Sequence, residues 1–212
     1  MMILKFIEHN YFHFISRGHD DRRAVTLIEK DFIMSRINVV SQDTANAEQQ
    51  ALLAAIQKKL GMVPNFLGIL ANSPDALRAF LGLHGVAEAG VLDPQTRERI
   101  ALVVAQQNSC EYCLSAHTAI GRKAGLTGDE IAANRAGTSQ DARAAAAVAF
   151  AKALNENLGE VTQSEFNAVR DAGYSDAEIV EIVTHVGMNI LTNLIGKASR
   201  VDIDFPKVSL QA

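Results

Sequence analysis

Signals for the start and the end of helices recur along the chain from Thr44 to Ser199. Ser73-Pro74 and Asp93-Pro94 each combine a capping side chain with a proline, an arrangement favoured at the first turn of a helix. Glycines such as Gly61 follow several apolar runs, where they favour the end of a helix. The same region lacks the apolar–polar alternation of a half-buried strand. These signals predict an all-α fold, a compact helical domain of about eight helices joined by short loops.

The balance of apolar and charged residues favours a globular protein with a sizeable core. Hydrophobic residues make up 48% of the chain and charged residues 21%, which are ordinary proportions for a soluble domain. The formal net charge is −4, and the sequence has no basic patch of the size that a nucleic-acid site requires. We therefore expect no nucleic-acid partner.

No apolar run has the length of a membrane span, which is roughly 18–20 residues. The closest run, from Ile179 to Ile195, is interrupted by Glu181 and by a histidine and two asparagines, and it predicts a buried core helix. The N-terminal segment MMILKFIEHNYFHFISRGHDD contains acids and histidines and lacks a small-residue cleavage site, so it does not resemble a secretory signal. We expect a cytoplasmic protein with no membrane partner.

Residues 1–33 differ from the rest of the chain. They contain three of the six histidines and a charged cluster at His19–Arg23, and they precede Met34, which resembles a natural start. Two interpretations stay open: an N-terminal extension produced by a start-site artefact, or a real helix or strand that caps an oligomer. The helical domain itself is predicted to span residues 34–212.

A weak internal repeat links the segments DPQTRERIALVV and YSDAEIVEIVTHV, which share a capped start and an apolar run. An offset of eighty residues aligns Glu178 with Glu98. The same offset places Ile190, Asn193 and Lys197 at the positions of Cys110, Cys113 and His117. Either the fold contains a degenerate internal helical repeat, or two buried helices merely look alike.

Both cysteines of the chain, Cys110 and Cys113, form a single C-x-x-C pair. Residues three apart near a helix N-terminus share a face, so a disulfide is accessible, and the free N–H groups there stabilise a thiolate. His117 follows Cys113 by one helical turn and is placed to accept the thiol proton. Together with Glu98 on the preceding helix, these residues predict a thiol-based redox site that uses no cofactor and no metal.

The position of Glu98 depends on a predicted break in the helix before the cysteines. Asn108-Ser109 offers such a break, and Asn108 with Glu111 three residues later fits a capping-box start. Glu98 reaches His117 only if the chain bends there. The bend would complete a nucleophile, a base and a carboxylate that orients the base.

A thiolate at this site can attack a peroxide oxygen and become a sulfenic acid, which a neighbouring cysteine converts to a disulfide. A thiol reductant then restores the pair. Because Cys113 is nearer to the base, we predict that Cys113 attacks the peroxide and that Cys110 is the resolving cysteine. The expected partners are a hydroperoxide substrate and a thiol or dithiol reductant.

Two other interpretations of the cysteine pair stay open, a zinc site and a pair of buried, inert cysteines, whereas a thioredoxin-like motif does not fit. A thioredoxin-like motif would require a βαβ context, which the sequence lacks. A zinc site would use both cysteines and His117, with Glu98 or water as the fourth ligand, but structural zinc sites usually pair two such motifs and the chain has one. In the second open interpretation, the two cysteines are buried and chemically inert.

Other polar residues are candidates for secondary roles. His84 is interpreted as a core or interface histidine in preference to a residue that lines the site. His185, Asn189 and Asn193 are spaced four apart on the last long helix and are interpreted as an inter-helix or inter-subunit network, because polar groups on a buried helix need partners. Tyr112 either gates the site, hydrogen-bonds there or packs.

The pattern Glu-x11-Cys-x-x-Cys-x-x-x-His in an all-helical, Ala-rich chain resembles the alkylhydroperoxidase D-like branch of the carboxymuconolactone decarboxylase family. Glu98, Cys110, Cys113 and His117 match the motif positions of that branch. The C-terminal segments NILTN and DFP resemble its peroxidase-related subgroup, and the resemblance covers roughly residues 35–207.

This resemblance implies an all-α fold with a duplicated helical unit, assembled as homo-oligomeric trimers or hexamers. It also implies a cysteine peroxidase with an antioxidant role, in which the second cysteine attacks and the Glu–His pair relays protons. The characterised alkylhydroperoxidase D has a histidine between its cysteines, where this chain has Glu111 and Tyr112. The decarboxylases proper lack the cysteine pair, which disfavours a lactone or keto-acid enzyme. A general thiol–disulfide oxidoreductase or a redox sensor stays open as an alternative.

Overall fold

The structure is a computed structural model that describes residues 35–210. The described residues form nine α-helices and no strand, which confirms the predicted all-α fold. The predicted extension, residues 1–33, lies outside the described residues. The helices are α1 (Ala47–Leu60), α2 (Asn65–Leu70), α3 (Pro74–Glu88), α4 (Pro94–Gln107), α5 (Glu111–Lys123), α6 (Gly128–Arg135), α7 (Ala142–Glu156), α8 (Gln163–Asp171) and α9 (Asp176–Ser199).

The predicted start and end signals at Ser73, Asp93 and Gly61 form helix caps in the structure. The Ser73 hydroxyl accepts the N–H of Ala76 at the start of α3, and the Asp93 carboxylate accepts the N–H of Thr96 at 2.9 Å at the start of α4. Each side chain satisfies a backbone donor that the first turn of a helix leaves free. Gly61 ends α1 in a left-handed conformation with φ of 80°.

Helix α4 is the centre of the fold. It packs against α5, α6, α7 and α9, and its segment Ile100–Ala105 is buried on every side. A helix that is surrounded by other helices must be apolar all round, and the run IALVVA meets that condition. Glu98 precedes this run by two residues, so the fold holds its carboxylate at the edge of the core.

Helix α9 is long and apolar enough to cross a membrane by length and composition alone. Its polar residues His185, Asn189 and Asn193 are nevertheless buried, and the helix packs against α3, α4, α5 and α7. The core helices of soluble proteins share this composition. Helix α9 therefore packs as a core helix of this domain, as the interrupted apolar run predicts.

The C-terminal tail, residues 201–210, forms no helix or strand and hydrogen-bonds to both α2 and α5. The Asp204 carboxylate accepts the backbone N–H of Asn65 at 2.6 Å, and the backbone N–H of Val208 donates to the Ser115 hydroxyl at 3.0 Å. The tail places Phe205 against the ring of Tyr112, with 5.8 Å between the ring centroids.

The eighty-residue offset does not align helix boundaries. Cys110 lies at the break between α4 and α5, whereas Ile190, eighty residues later, lies inside the unbroken helix α9. The two segments therefore differ in local structure at the position that carries the cysteines. The internal repeat stays a prediction.

Candidate functional site

The chain reverses direction between α4 and α5 at Asn108 and Ser109. Asn108 is the C-cap of α4, with its N–H bonded to the carbonyl of Val104, and Ser109 adopts a left-handed conformation with φ of 53°. This is the bend on which the predicted position of Glu98 depends.

The predicted capping box at this bend is wrong. Helix α5 begins one residue after Cys110, whose sulfur accepts the N–H of Cys113 at 3.3 Å. The side chain of Asn108 is committed elsewhere, because its amide donates to Asn155 at 3.1 Å and to Asn193 at 3.0 Å. Because Asn108 makes these tertiary hydrogen bonds, Cys110 and not Asn108 occupies the N-cap position of α5.

Cys110 and Cys113 are joined by a disulfide, with 5.3 Å between their Cα atoms. Both residues are buried, and their exposed fractions are only 1% and 4%. The two sulfurs differ in surroundings, because Cys113 lines a cavity whereas Cys110 is not among the residues that line it. A small molecule in this cavity therefore meets Cys113.

The structure brings Glu98 and His117 together. Oε2 of Glu98 lies 2.8 Å from Nδ1 of His117, and the two side chains are mostly buried. Glu98 extends from α4, and His117 lies on α5 one turn after Cys113. An ionised carboxylate only accepts hydrogen bonds, so it holds the ring hydrogen on Nδ1 and leaves Nε2 for another partner.

The cavity has a volume of about 250 Å³ and lies between α3, α4, α5 and α9. Cys113, Glu98 and His117 contribute to its wall. Most of the remaining wall is apolar and includes Phe66, Leu67, Phe80, Ile120, Met188 and Phe205. A few polar groups in an otherwise apolar pocket are typical of a small-molecule site.

Helix α9 packs against the disulfide at Gly196. A methyl group at this position would lie 3.3 Å from Sγ of Cys110 and 3.6 Å from Sγ of Cys113. The glycine therefore allows the helix backbone to approach both sulfurs. The C-x-x-C motif carries no signal for this contact, because the two segments are distant in the sequence.

The matched variants Gly196→Ala and Gly187→Ala test this contact. Alanine is favoured over glycine inside a helix by about 0.5–1 kcal/mol. Nothing lies within 4 Å of a methyl at Gly187, so we expect Gly187→Ala to raise the free energy of unfolding by that amount. At Gly196 we expect a net loss, because overpacking costs about 1–3 kcal/mol. Urea unfolding of the disulfide form measures both, and equal effects would contradict the close approach.

Tyr112 contributes its ring to the cavity and anchors neighbouring segments with its hydroxyl. The hydroxyl oxygen accepts the backbone N–H of Phe66 at 3.2 Å. Burial raises the pKa of Tyr112 well above its usual value, so the phenol stays protonated at neutral pH. Of the roles considered for this residue, packing and hydrogen bonding describe it.

His84 also lines the cavity, against the expectation of a core or interface position. Its Nδ1 lies 3.5 Å from the Glu88 carboxylate, and its ring packs on Phe80 with 5.7 Å between centroids. Burial lowers the pKa of His84, and the neighbouring Glu88 opposes that shift.

Among residues 35–210, no group of three or more His, Cys, Asp or Glu side chains is arranged to hold a metal ion.

The predicted polar stripe on α9 divides in two. Asn193 joins an inter-helix amide network through Asn108, as expected. His185 and Asn189 instead line the cavity, together with Thr192. Sequence reasoning also missed Arg97, which lines the cavity from α4 and carried no signal beyond its position next to Glu98.

The model of the carboxymuconolactone decarboxylase family matches residues 74–156, a segment that contains Glu98, Cys110, Cys113 and His117. Over this segment the chain is similar to the carboxymuconolactone decarboxylase family. The matched segment runs from α3 to the end of α7 and so includes the central helix of the fold.

Two solved structures of peroxidase-related proteins resemble this chain over most of its length. An uncharacterized peroxidase-related protein from Silicibacter sp. TM1040 is 28% identical with a TM-score of 0.70, and the match covers 79% of this chain and 91% of that one. An uncharacterized peroxidase-related protein with an alkylhydroperoxidase core, from Ralstonia eutropha JMP134, is also 28% identical with a TM-score of 0.70, covering 81% and 93%. These matches support the predicted resemblance of this chain to the alkylhydroperoxidase-like branch of the carboxymuconolactone decarboxylase family.

A curated relative matches only a short segment. An uncharacterized protein from Haemophilus influenzae is 51% identical over 45 residues, which are 21% of this chain. The match spans 40% of the length of that protein. It therefore adds no information about activity.

Proposed function

We propose that the protein is a cysteine-based peroxidase that reduces organic hydroperoxides through a dithiol–disulfide cycle of Cys113 and Cys110. One observation carries the proposal: the cavity that exposes Cys113 also contains the hydrogen-bonded pair of His117 and Glu98. The likeness to peroxidase-related structures supports it. The expected cellular role is antioxidant, in the cytoplasm.

In the first step, Nε2 of His117 takes the thiol proton of Cys113. The thiolate attacks the terminal oxygen of the hydroperoxide, so an S–O bond forms and the O–O bond breaks. The alkoxide that leaves takes the proton from the imidazolium and departs as an alcohol. Glu98 stabilises the transient positive charge on His117 at 2.8 Å.

In the second step, the Cys110 thiolate attacks the sulfur of the Cys113 sulfenic acid. The S–S bond forms, and hydroxide leaves and is protonated to water. The sulfur of Cys110 lies at the N-terminus of α5 and accepts the N–H of Cys113 at 3.3 Å, a position that stabilises a thiolate. An external thiol or dithiol then supplies two electrons to reduce the disulfide.

The first experiment follows the loss of an organic hydroperoxide in the presence of the protein and excess dithiol. We expect catalytic consumption. Protein that is first reduced and then freed of dithiol should consume one equivalent of peroxide with loss of both free thiols. If the dithiol reduces the disulfide but no peroxide disappears, the protein is a thiol–disulfide oxidoreductase or a redox sensor. If activity on a lactone or keto acid survives loss of both cysteines, the parent decarboxylase chemistry replaces the proposal.

We also propose that the protein forms a homo-oligomer, a trimer or a hexamer. Helix α9 exposes an apolar stripe formed by Val180, Val183, Leu191 and Leu194, whose exposed fractions range from 41% to 64%. Stripes of this kind are typical of subunit interfaces. Light scattering should give the mass of a trimer or hexamer, and Leu194→Glu should dissociate it. A monomeric wild-type protein at micromolar concentration would contradict this proposal.

A further inference from the structure

The cavity has a second polar region, separate from the sulfurs and the Glu98–His117 pair. It is formed by His185 and Asn189, which lie one turn apart on α9. Both side chains line the cavity, and each residue is only 3% exposed. Buried polar side chains are normally fully hydrogen-bonded, so their partners show whether the region has unused capacity.

His185 lacks a partner for one ring nitrogen. The backbone of Ala87 takes one hydrogen bond from the ring, whereas Nε2 has no partner among residues 35–210. Burial lowers the pKa of His185, so the ring is neutral at pH 7. A neutral ring that donates from Nδ1 presents Nε2 as an acceptor. An unsatisfied buried acceptor is costly, so a ligand that donates to it gains affinity.

Asn189 adds complementary groups beside this acceptor. Its Nδ2 donates one hydrogen to the backbone carbonyl of His185 at 2.8 Å. An amide carries two N–H donors and one carbonyl oxygen, and no residue among 35–210 pairs with the second donor or the oxygen of Asn189. An acceptor on His185 next to a donor on Asn189 matches a hydroxyl group, which both donates and accepts.

The charges that face His185 are already paired with protein groups. Glu181 accepts the N–H groups of Val91 and Leu92 at 2.9 Å each. Arg97 donates to the backbone carbonyls of Glu88 and Leu92. His84 is paired with the Glu88 carboxylate. Arg97 and Glu181 act on His185 with opposite charges, and Glu88 and Glu98 also line the cavity with Arg97. The region therefore has no net positive charge that would favour a carboxylate, and it favours an uncharged group.

The second polar region is far from the sulfurs. Gly196 is the residue of α9 that lies beside the two sulfurs. Asn189 and His185 precede Gly196 by seven and eleven residues. A helix rises 1.5 Å per residue, so the two side chains lie roughly 10 and 16 Å from the disulfide along the axis. The wall includes the apolar side chains of Phe80, Ile120 and Met188. A ligand that reaches both ends needs a long apolar body.

We infer that His185 and Asn189 bind a hydroxyl group at the far end of the substrate. The substrate class is then an organic hydroperoxide with an apolar chain that carries an uncharged hydroxyl remote from the O–O bond. The inference deepens the proposed peroxidase function and rests on it for the reacting end. The two residues act as specificity determinants and take no part in the chemistry at sulfur.

Binding of product analogues to the disulfide form tests the site without turnover. The probes are decanol, the corresponding terminal diol and the corresponding hydroxy acid, with affinities measured by ligand-observed NMR. We expect the diol to bind about 5–10-fold more tightly than decanol, the gain of one or two buried hydrogen bonds. His185→Phe should remove this preference, and His185→Gln, which keeps an acceptor, should restore part of it. Glu111→Gln changes a residue outside the cavity and should leave the preference unchanged.

Three outcomes would overturn the inference: equal affinity of decanol and the diol for the wild type, an unchanged preference in His185→Phe, or tighter binding of the hydroxy acid than of the diol. If His185→Phe does not fold, Asn189→Leu provides the same comparison. A diol preference without peroxide turnover refutes the peroxidase alone. Turnover without a diol preference refutes the His185–Asn189 site alone.

Discussion

Replacing Cys113 with serine is expected to abolish peroxide reduction, with a loss of at least about 10³-fold in the rate of consumption, since the nucleophile itself is removed. Cys113 is the cysteine that lines the cavity and lies one turn from His117. A serine hydroxyl at the same position is not ionised by a histidine base to a comparable degree. The measurement is peroxide loss under excess dithiol, together with a single-turnover assay.

Cys110→Ser is the matched control, because it also replaces one cysteine sulfur with oxygen and also removes the disulfide. In the absence of dithiol, we expect this variant to consume its first equivalent of peroxide at a near-normal rate and a further equivalent only slowly. Its Cys113 sulfenic acid lacks a resolving thiol and advances to the sulfinic acid under excess peroxide, which mass spectrometry detects. The reverse result, a first turnover in Cys113→Ser and none in Cys110→Ser, would exchange the two roles.

Glu98→Gln is expected to slow peroxide reduction by about 10²-fold, within the range that general acid–base groups contribute. The amide has nearly the same shape as the carboxylate but carries no charge. It therefore removes the stabilisation of a protonated His117, whose Nδ1 lies 2.8 Å from Glu98. The effect should appear in the single-turnover rate with peroxide, because the proton moves in that step.

Glu111→Gln provides the control for loss of an acid near the cysteines. Glu111 lies in the first turn of α5 and pairs with Lys207 at 3.5 Å, and it does not line the cavity. We expect its peroxide turnover to stay within about twofold of the wild type, as for a surface ion pair of small energetic weight. Equal losses in the two variants would indicate a general effect of charge and would refute the Glu98–His117 relay.

The local features of the fold could be predicted because neighbouring residues determine them. Ser73 and Asp93 cap helices by bonding to N–H groups three residues away, so the sequence alone indicates where these helices begin. The one-turn spacing of Cys113 and His117 follows from helix geometry in the same way. The family motif places Glu98 at the site, although no local rule brings it to His117.

The error at Asn108 shows where local rules end. Asn108 and Glu111 satisfy the capping-box pattern, but Asn155 and Asn193 take the amide of Asn108 and the cap passes to Cys110. The competing bonds come from helices distant in the sequence, so no window around Asn108 reveals them. Here the tertiary hydrogen bonds of a half-buried amide outweigh a local cap.

The sequence by itself determined the helical class and most of the helix starts, and it predicted the four residues of the candidate redox site. Only the tertiary structure decided that Cys113 faces the cavity, that Gly196 lets α9 approach both sulfurs and that His185 lines a distant polar region. The physical reason is the distance along the sequence between the residues that interact. Caps and helix faces depend on residues within one turn, whereas a cavity exists only where side chains from separate helices fail to fill the space between them.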